Sequence, residues 1–177
     1  PIGDRRQVDE MLATIQQTGC LLAVDPNVRP ALMPDLDSCR EGLDRLAQVA
    51  TLVKLSREDL TLLYPDRSNE GAVAALLSAG ARAVVETDGP RGAYVHTAGY
   101  TAHVPSVPLG SEVVSTVGAG DAVLARLSLD LGAPSWPGAE SEWRSVLQDA
   151  MAAAAATCQA VGGTIPLTYA QTFRGAL

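Results

Sequence analysis

The chain has 177 residues, 13 basic against 20 acidic for a net charge of −7, and an apolar fraction of 47%. This length suits one domain, and the apolar fraction excludes a disordered or collagen-like polymer. The acidic balance argues against a nucleic-acid backbone as partner, and no apolar run nears the roughly 18 residues of a membrane span. The first six residues, Pro1-Ile2-Gly3-Asp4-Arg5-Arg6, have no apolar core behind their charges and do not read as a secretory signal. Three scattered cysteines (Cys20, Cys39, Cys158) and two histidines (His96, His103) have the spacing of neither a disulfide framework nor a zinc clip. We read the cysteines as small apolar residues in or near the core, and the compartment as the reducing cytoplasm.

Helical and strand periods alternate along the chain, the pattern of an α/β fold. Val8, Met11, Leu12 and Ile15 recur at helical spacing and predict an amphipathic helix that Gly19 ends. The run 20–24 then reads as a buried strand leading into Asp25-Pro26-Asn27. Leu43, Leu46, Ala47 and Ala50 mark a second helical face, followed by a strand over 51–55. Ser56, with Asp59 three residues on, predicts a capped short helix that stops before Pro65. A helix over 72–77 breaks at Gly80 before a strand over 83–87. The runs 93–97 and 100–104, joined by Ala98-Gly99, predict a hairpin. Residues 112–114 lead into Ser115-Thr116-Val117-Gly118-Ala119-Gly120-Asp121. Behind that stretch, Val123, Leu124, Leu127 and Leu131 point inward from a helix. A last long helix carries Trp143, Val146, Leu147, Ala150, Met151 and Ala154.

The most informative stretch is Gly118-Ala119-Gly120-Asp121. Two glycines one residue apart permit a tight turn, and N–H groups at a helix start form an anion site. An Asp there repels a resting phosphate. Its presence suits a general base that takes a hydroxyl proton while the N–H groups hold the phosphoryl group. A plain helix start with an Asp favoured by the dipole accounts for the same spacing. Thr87-Asp88-Gly89-Pro90-Arg91-Gly92 is a second glycine-bearing turn, open either to a nucleotide or to a simple return of the chain. It lacks the spacing of a dinucleotide fingerprint, and the chain has no Walker-type loop. Asp25-Pro26-Asn27-Val28-Arg29-Pro30 follows a strand end, where ligands bind in open α/β sheets. Arg29 suits a phosphate or carboxylate and Asn27 a sugar hydroxyl, although on sequence alone a proline-rich turn with a surface Arg is the better reading. Lys54, Ser56 and Asp59 lie at another strand end. There Asp59 suits a water-mediated metal contact and Ser56 a helix cap.

In this order, these stretches resemble the ribokinase-like (pfkB) family of carbohydrate kinases, with Val53-Lys54 through Tyr64-Pro65 most similar to its fructokinase-type branch. Ser115 to Asp121 is similar to the family's Asp-Thr-x-Gly-Ala-Gly-Asp signature. The resemblance implies a Rossmann-like three-layer α/β sandwich. It also implies ATP-dependent transfer of a phosphoryl group to a sugar primary hydroxyl, with Mg²⁺. By the same resemblance Asp121 is the base, and the N–H groups of Gly118, Ala119 and Gly120 form the anion hole. Thr87, Gly89 and Gly92 lie along the nucleotide. Lys54 and Asp59 stand near the phosphates and metal, and Asn27 and Arg29 on the substrate side.

The pattern departs from the family at several places. Ser115 replaces an Asp that helps hold a monovalent cation in relatives. Ser56 and Asp59 stand for Asn and Glu, Val123 for Phe, Arg126 for a small residue and Met151 for Asn. Family members run to roughly twice this length, near the limit of a single core. Residues 1–177 therefore read as the C-terminal nucleotide-binding half of a kinase, without the N-terminal half and lid, and inactive alone. Such a half exposes apolar surface and self-associates, while the full-length form is expected to be a homo-oligomer. A non-catalytic nucleotide-binding module, or a nucleoside kinase of the same family, are the alternative functions.

Overall fold

The structure, a computed structural model, describes residues 2–33, 35–109, 113–132 and 136–163. It separates into two compact units: Pro1–Asp88 with Tyr94–Thr101, and Gly89–Ala93 with Ala102 onward.

The first unit alternates helices with parallel strands. Helix α1 (Arg5–Thr18) starts where the Asp4 carboxylate accepts the Arg6 and Gln7 N–H groups. It stops at Gly19, whose left-handed φ of 64° turns its N–H back onto the Ile15 carbonyl. Of the predicted apolar face only Val8 is fully buried, and Met11 is exposed. Strand β1 (Ala23–Val24) is shorter than the run 20–24 suggested, because Cys20 and Leu21 are exposed and only the end of the run pairs with a neighbour. Helix α2 (Leu36–Ala47) is capped by Asp35 and buries Cys39, Leu43, Leu46 and Ala47. Ala50, counted with that face, lies beyond the helix but is buried.

Strand β2 (Leu52–Ser56) runs directly into α3 (Arg57–Leu63), and α4 (Asn69–Ala79) precedes β3 (Ala83–Thr87). Strands β1 and β2 are parallel, as are β2 and β3, and Ser56 is in register with Thr87. The C-terminal ends of β2 and β3 therefore lie side by side. Parallel strands covered by helices read as near-continuous apolar runs. Leu52, Val53 and Leu55 of β2 and Ala83, Val84 and Val85 of β3 are all buried accordingly. Val53, Leu55 and Val84 share one core with Leu43, Leu46, Leu60, Leu63 and Leu76 from the helices.

Strands β4 (Ala93–His96) and β5 (Thr101–Val104) complete a five-stranded sheet in the order β1-β2-β3-β4-β5. They form the predicted hairpin, closed by the Thr97 N–H donating to the Tyr100 carbonyl. Connections this short join β3 to β4 and β4 to β5 in antiparallel fashion, so the sheet is mixed. In the second unit, α5 (Ala119–Leu131) packs against α6 (Glu140–Cys158). Val123 and Leu127 are buried on α5, and Trp143, Leu147, Ala150, Met151 and Ala154 on α6. Leu124 is half-buried, while Glu112 and the Leu131 side chain lie outside what the structure describes. Arg126, an oversized residue for its position, finds its exit in Asp130 (2.6 Å) and Asp149 (2.9 Å). Among the described residues no helix is long and apolar enough to cross a membrane.

Candidate functional site

In the first unit, the strand-end residues singled out from the sequence form one hydrogen-bonded cluster. Lys54 Nζ donates to Asp25 Oδ2 at 2.7 Å, and both side chains are buried, at 6% and 7% exposure. Burial pushes the Asp25 carboxyl above its ordinary value, with the Lys54 ammonium and the Asn27 N–H pulling the other way. The Asn27 N–H closes onto Asp25 Oδ1 at 3.1 Å, and the residue takes a left-handed φ of 44°. That conformation is one Asn adopts more readily than most residues. The turn therefore presents the exposed Asn27 side chain outward, while Val28 is buried. Arg29 is exposed and donates to the Val28 carbonyl through Nη1.

Asp59 anchors this turn to α3. Its Oδ1 accepts the Val28 N–H at 2.9 Å, and its Oδ2 accepts the Ser56 N–H at 2.8 Å and the Ser56 hydroxyl at 2.6 Å. Ser56 Oγ in turn accepts the Asp59 N–H, which completes the capping box read from the sequence. Both oxygens of this buried carboxylate are engaged by protein donors. Oδ2 takes two of these donors and Oδ1 one, so the buried carboxylate keeps at most one acceptor site for Mg²⁺ or a water that it holds. Among the described residues no three His, Cys, Asp or Glu side chains are grouped to hold a metal by themselves.

Thr87 ends β3 beside Ser56, its hydroxyl 3.4 Å from the Leu55 carbonyl. The next residue, Asp88, is buried and accepts from Arg57 Nη1 at 2.9 Å, so the first residue of α3 grips the start of the glycine turn. Sequence reasoning passed over Arg57, because its partners Asp88 and Glu86 lie 31 and 29 positions away and no local pattern links them.

In the second unit, Gly89–Arg91 forms one 3-10 turn. Gly92 has a φ of 100°, and a Cβ there would stand 2.1 Å from the Val104 carbonyl oxygen, so only glycine fits. Gly118 caps α5 with a φ of 80° and no side-chain cap. A Cβ on Gly118 would meet the Gly163 carbonyl at 2.8 Å, so the Val161–Gly163 turn after α6 closes against the loop. The Ser115 N–H joins the same closure by donating to the Cys158 carbonyl, and Ser115 Oγ accepts the Val117 N–H. The Ala119 N–H donates to Thr116 O at 3.2 Å. One of the three donors assigned to the anion hole is therefore already engaged within the turn. Asp121 lies in the first turn of α5 and is exposed.

Residues 4–169 match the family model described as pfkB family carbohydrate kinase. A fructokinase of Rhizobium leguminosarum bv. trifolii is 34% identical over 125 residues, covering 68% of this chain and 38% of that protein. Among solved structures, aminoimidazole riboside kinase from Salmonella enterica superposes with a TM-score of 0.77 at 25% identity. It covers 92% of this chain and 55% of that one. A fructokinase from Vibrio cholerae O395, solved with fructose, ADP and calcium, gives 0.72 at 26%, covering 90% and 51%. The chain spans 48%, 39% and 38% of the lengths of the first three curated relatives it matches.

Proposed function

Because this chain belongs to the pfkB family of carbohydrate kinases, we propose that it is the C-terminal, nucleotide-binding half of a fructokinase-like sugar kinase. The observation that carries the reading is the loop at the start of α5. It is built on a glycine that no other residue can replace without a clash, it is closed by the Gly163 turn, and it leaves Asp121 exposed in the first helical turn. Being exposed, that carboxylate is accessible to a hydroxyl. In this reading Asp121 takes the proton of a sugar primary hydroxyl. The Gly118 and Gly120 N–H groups then stabilise negative charge on the phosphoryl group, joined by Ala119 once its bond to Thr116 opens.

In the same reading Thr87, Gly89 and Gly92 border the nucleotide. Lys54 and Asp59 hold the strand end rigid near the phosphates, and Asn27 and Arg29 face the substrate side. ATP supplies the phosphoryl group, and Mg²⁺ on its phosphates supplies charge neutralisation when bound. The full-length form is a cytoplasmic homo-oligomer in this proposal. Sugar-dependent ADP release by the full-length protein tests it, with fructose first and a nucleoside panel second. Full activity in Asp121→Ala would remove the base assignment, and activity on nucleosides alone would move the substrate class. A second reading, a nucleotide-binding module without turnover, is favoured by the engaged Ala119 N–H. Calorimetry that shows Mg-ATP binding with no sugar turnover by the full-length protein selects it.

A further inference from the structure

Arg57, the first residue of α3, ties that helix to the end of β3 within the first unit. Its Nη1 donates to Asp88 Oδ2 at 2.9 Å, and its Nε stands 3.3 Å from Glu86 Oε1. The remaining nitrogen, Nη2, is 3.6 Å from Glu70 Oε1 in the first turn of α4. Two of these carboxylates are buried, Asp88 at 5% side-chain exposure and Glu86 at 4%, while Glu70 is exposed.

Side chains of an extended chain alternate, so Glu86 and Asp88 fall on one side of the strand end and Thr87 on the other. One planar fork takes both carboxylates of that side, and Thr87, between them, is fixed with them. The fork has a rigid origin. Arg57 follows Ser56, whose hydroxyl and N–H are locked in the capping box with Asp59. The Arg57 carbonyl accepts from Thr61 Oγ1 at 3.0 Å and from Asn69 Nδ2 at 3.3 Å. Burying two carboxylates is costly, and apolar side chains would hold a strand end as well or better. What the charged arrangement adds is direction: a planar guanidinium fixes its acceptors in angle as well as in distance.

We propose that Arg57 is a positioning residue for the nucleotide, acting through Asp88 and Glu86 on Thr87. The proposal rests on the reading above, in which Thr87 borders the nucleotide. Arg57 itself touches no reacting atom in it. It sets where the end of β3 stands, and a displaced strand end loses contacts that ATP makes equally before and during phosphoryl transfer. The signature of such a residue is weaker ATP binding with the chemical step unchanged.

Calorimetric titration of the full-length protein with Mg-ATP, beside steady-state kinetics with fructose, tests the proposal. Arg57→Met should weaken Mg-ATP binding by about three- to thirtyfold, the range for residues that act on a site through neighbours, and raise the ATP KM alike. The fructose KM should stay within about twofold of the parent, a split that general distortion would not give. Arg57→Lys keeps a charge beside the buried carboxylates but lacks the fork, and carries the test if Arg57→Met folds poorly. It should show the same loss in smaller measure. Combined with Asp88→Asn, either substitution should lose less than the product of the two single losses, because both act on one contact. Mg-ATP affinity equal to the parent's in both Arg57 variants would overturn the proposal and leave the kinase reading standing. So would an equal loss of fructose and ATP affinity. A parent that binds no Mg-ATP would remove that reading and this proposal together.

Discussion

The two candidate regions are built on opposite plans. At the strand ends of the first unit, the Asp25, Lys54 and Asp59 side chains are buried and both carboxylates accept bonds from the protein itself. At the start of α5 in the second unit, the backbone is tightly constrained while the acidic side chain is exposed and caps nothing. The first plan buys rigidity, because a buried charge stays in place only while its partners hold it. The second leaves a carboxylate available for chemistry and puts the constraint in the glycines behind it. Stability variants should therefore cluster in the first region and activity variants in the second.

The sharpest separation is expected from Asp121→Ala. Turnover of the full-length kinase should fall by about 10²–10⁴-fold, the range for loss of a general base, while the melting temperature hardly moves. A parallel loss of stability would erase the contrast. Next in size is Lys54→Met, which strands the Asp25 carboxylate in a buried site and should cost about 3–5 kcal/mol near neutral pH. The folded Asp25 carboxyl already binds its proton more tightly than its ordinary value of 3.8. Its stability contribution is therefore largest in acid and declines as pH rises through the raised folded value. Without Lys54 that decline should extend to higher pH, so urea unfolding should show the gap between variant and parent widening from acid towards neutrality.

Asp59→Ala removes the α3 cap and leaves the buried Val28 N–H without its acceptor. A loss of about 2–4 kcal/mol in thermal unfolding is expected from the cap and the orphaned donor together. The smallest of the three stability losses belongs to Gly118→Ala, at about 1–3 kcal/mol, from its positive φ and the approach of the Gly163 carbonyl. This variant joins the two plans. If phosphate binding depends on the closed glycine loop, it should weaken Mg-ATP affinity in calorimetry far more than Asp59→Ala does at a temperature where both are folded.

What was legible in the sequence was local. The Ser56–Asp59 box, the Gly19 stop, β3 and the hairpin all follow from contacts within about four residues, where spacing and propensity act directly. The order of glycine-bearing stretches likewise identified the family, because a backbone that must adopt positive φ leaves glycine in the sequence as its trace. The length of β1 was not legible, since Cys20 and Leu21 are apolar enough for a strand and only the exposure of their surroundings excludes them.

The remaining decisions belong to tertiary structure. Asp59 reads as a cap or a metal contact until Val28, 31 positions away, is found donating to its other oxygen. Lys54 reads as a residue near the phosphates until Asp25, 29 positions away, is found holding it. Arg57, Glu86 and His96 carry no motif and meet only because parallel register and the hairpin bring α3, β3 and β4 together. Sequence alone determined which chemistry-bearing residues the chain possesses and the local turns that hold them. Their charge partners were decided by the fold, because Coulomb and hydrogen-bond partners are chosen by distance in space, and a sheet puts residues about thirty positions apart within 3 Å.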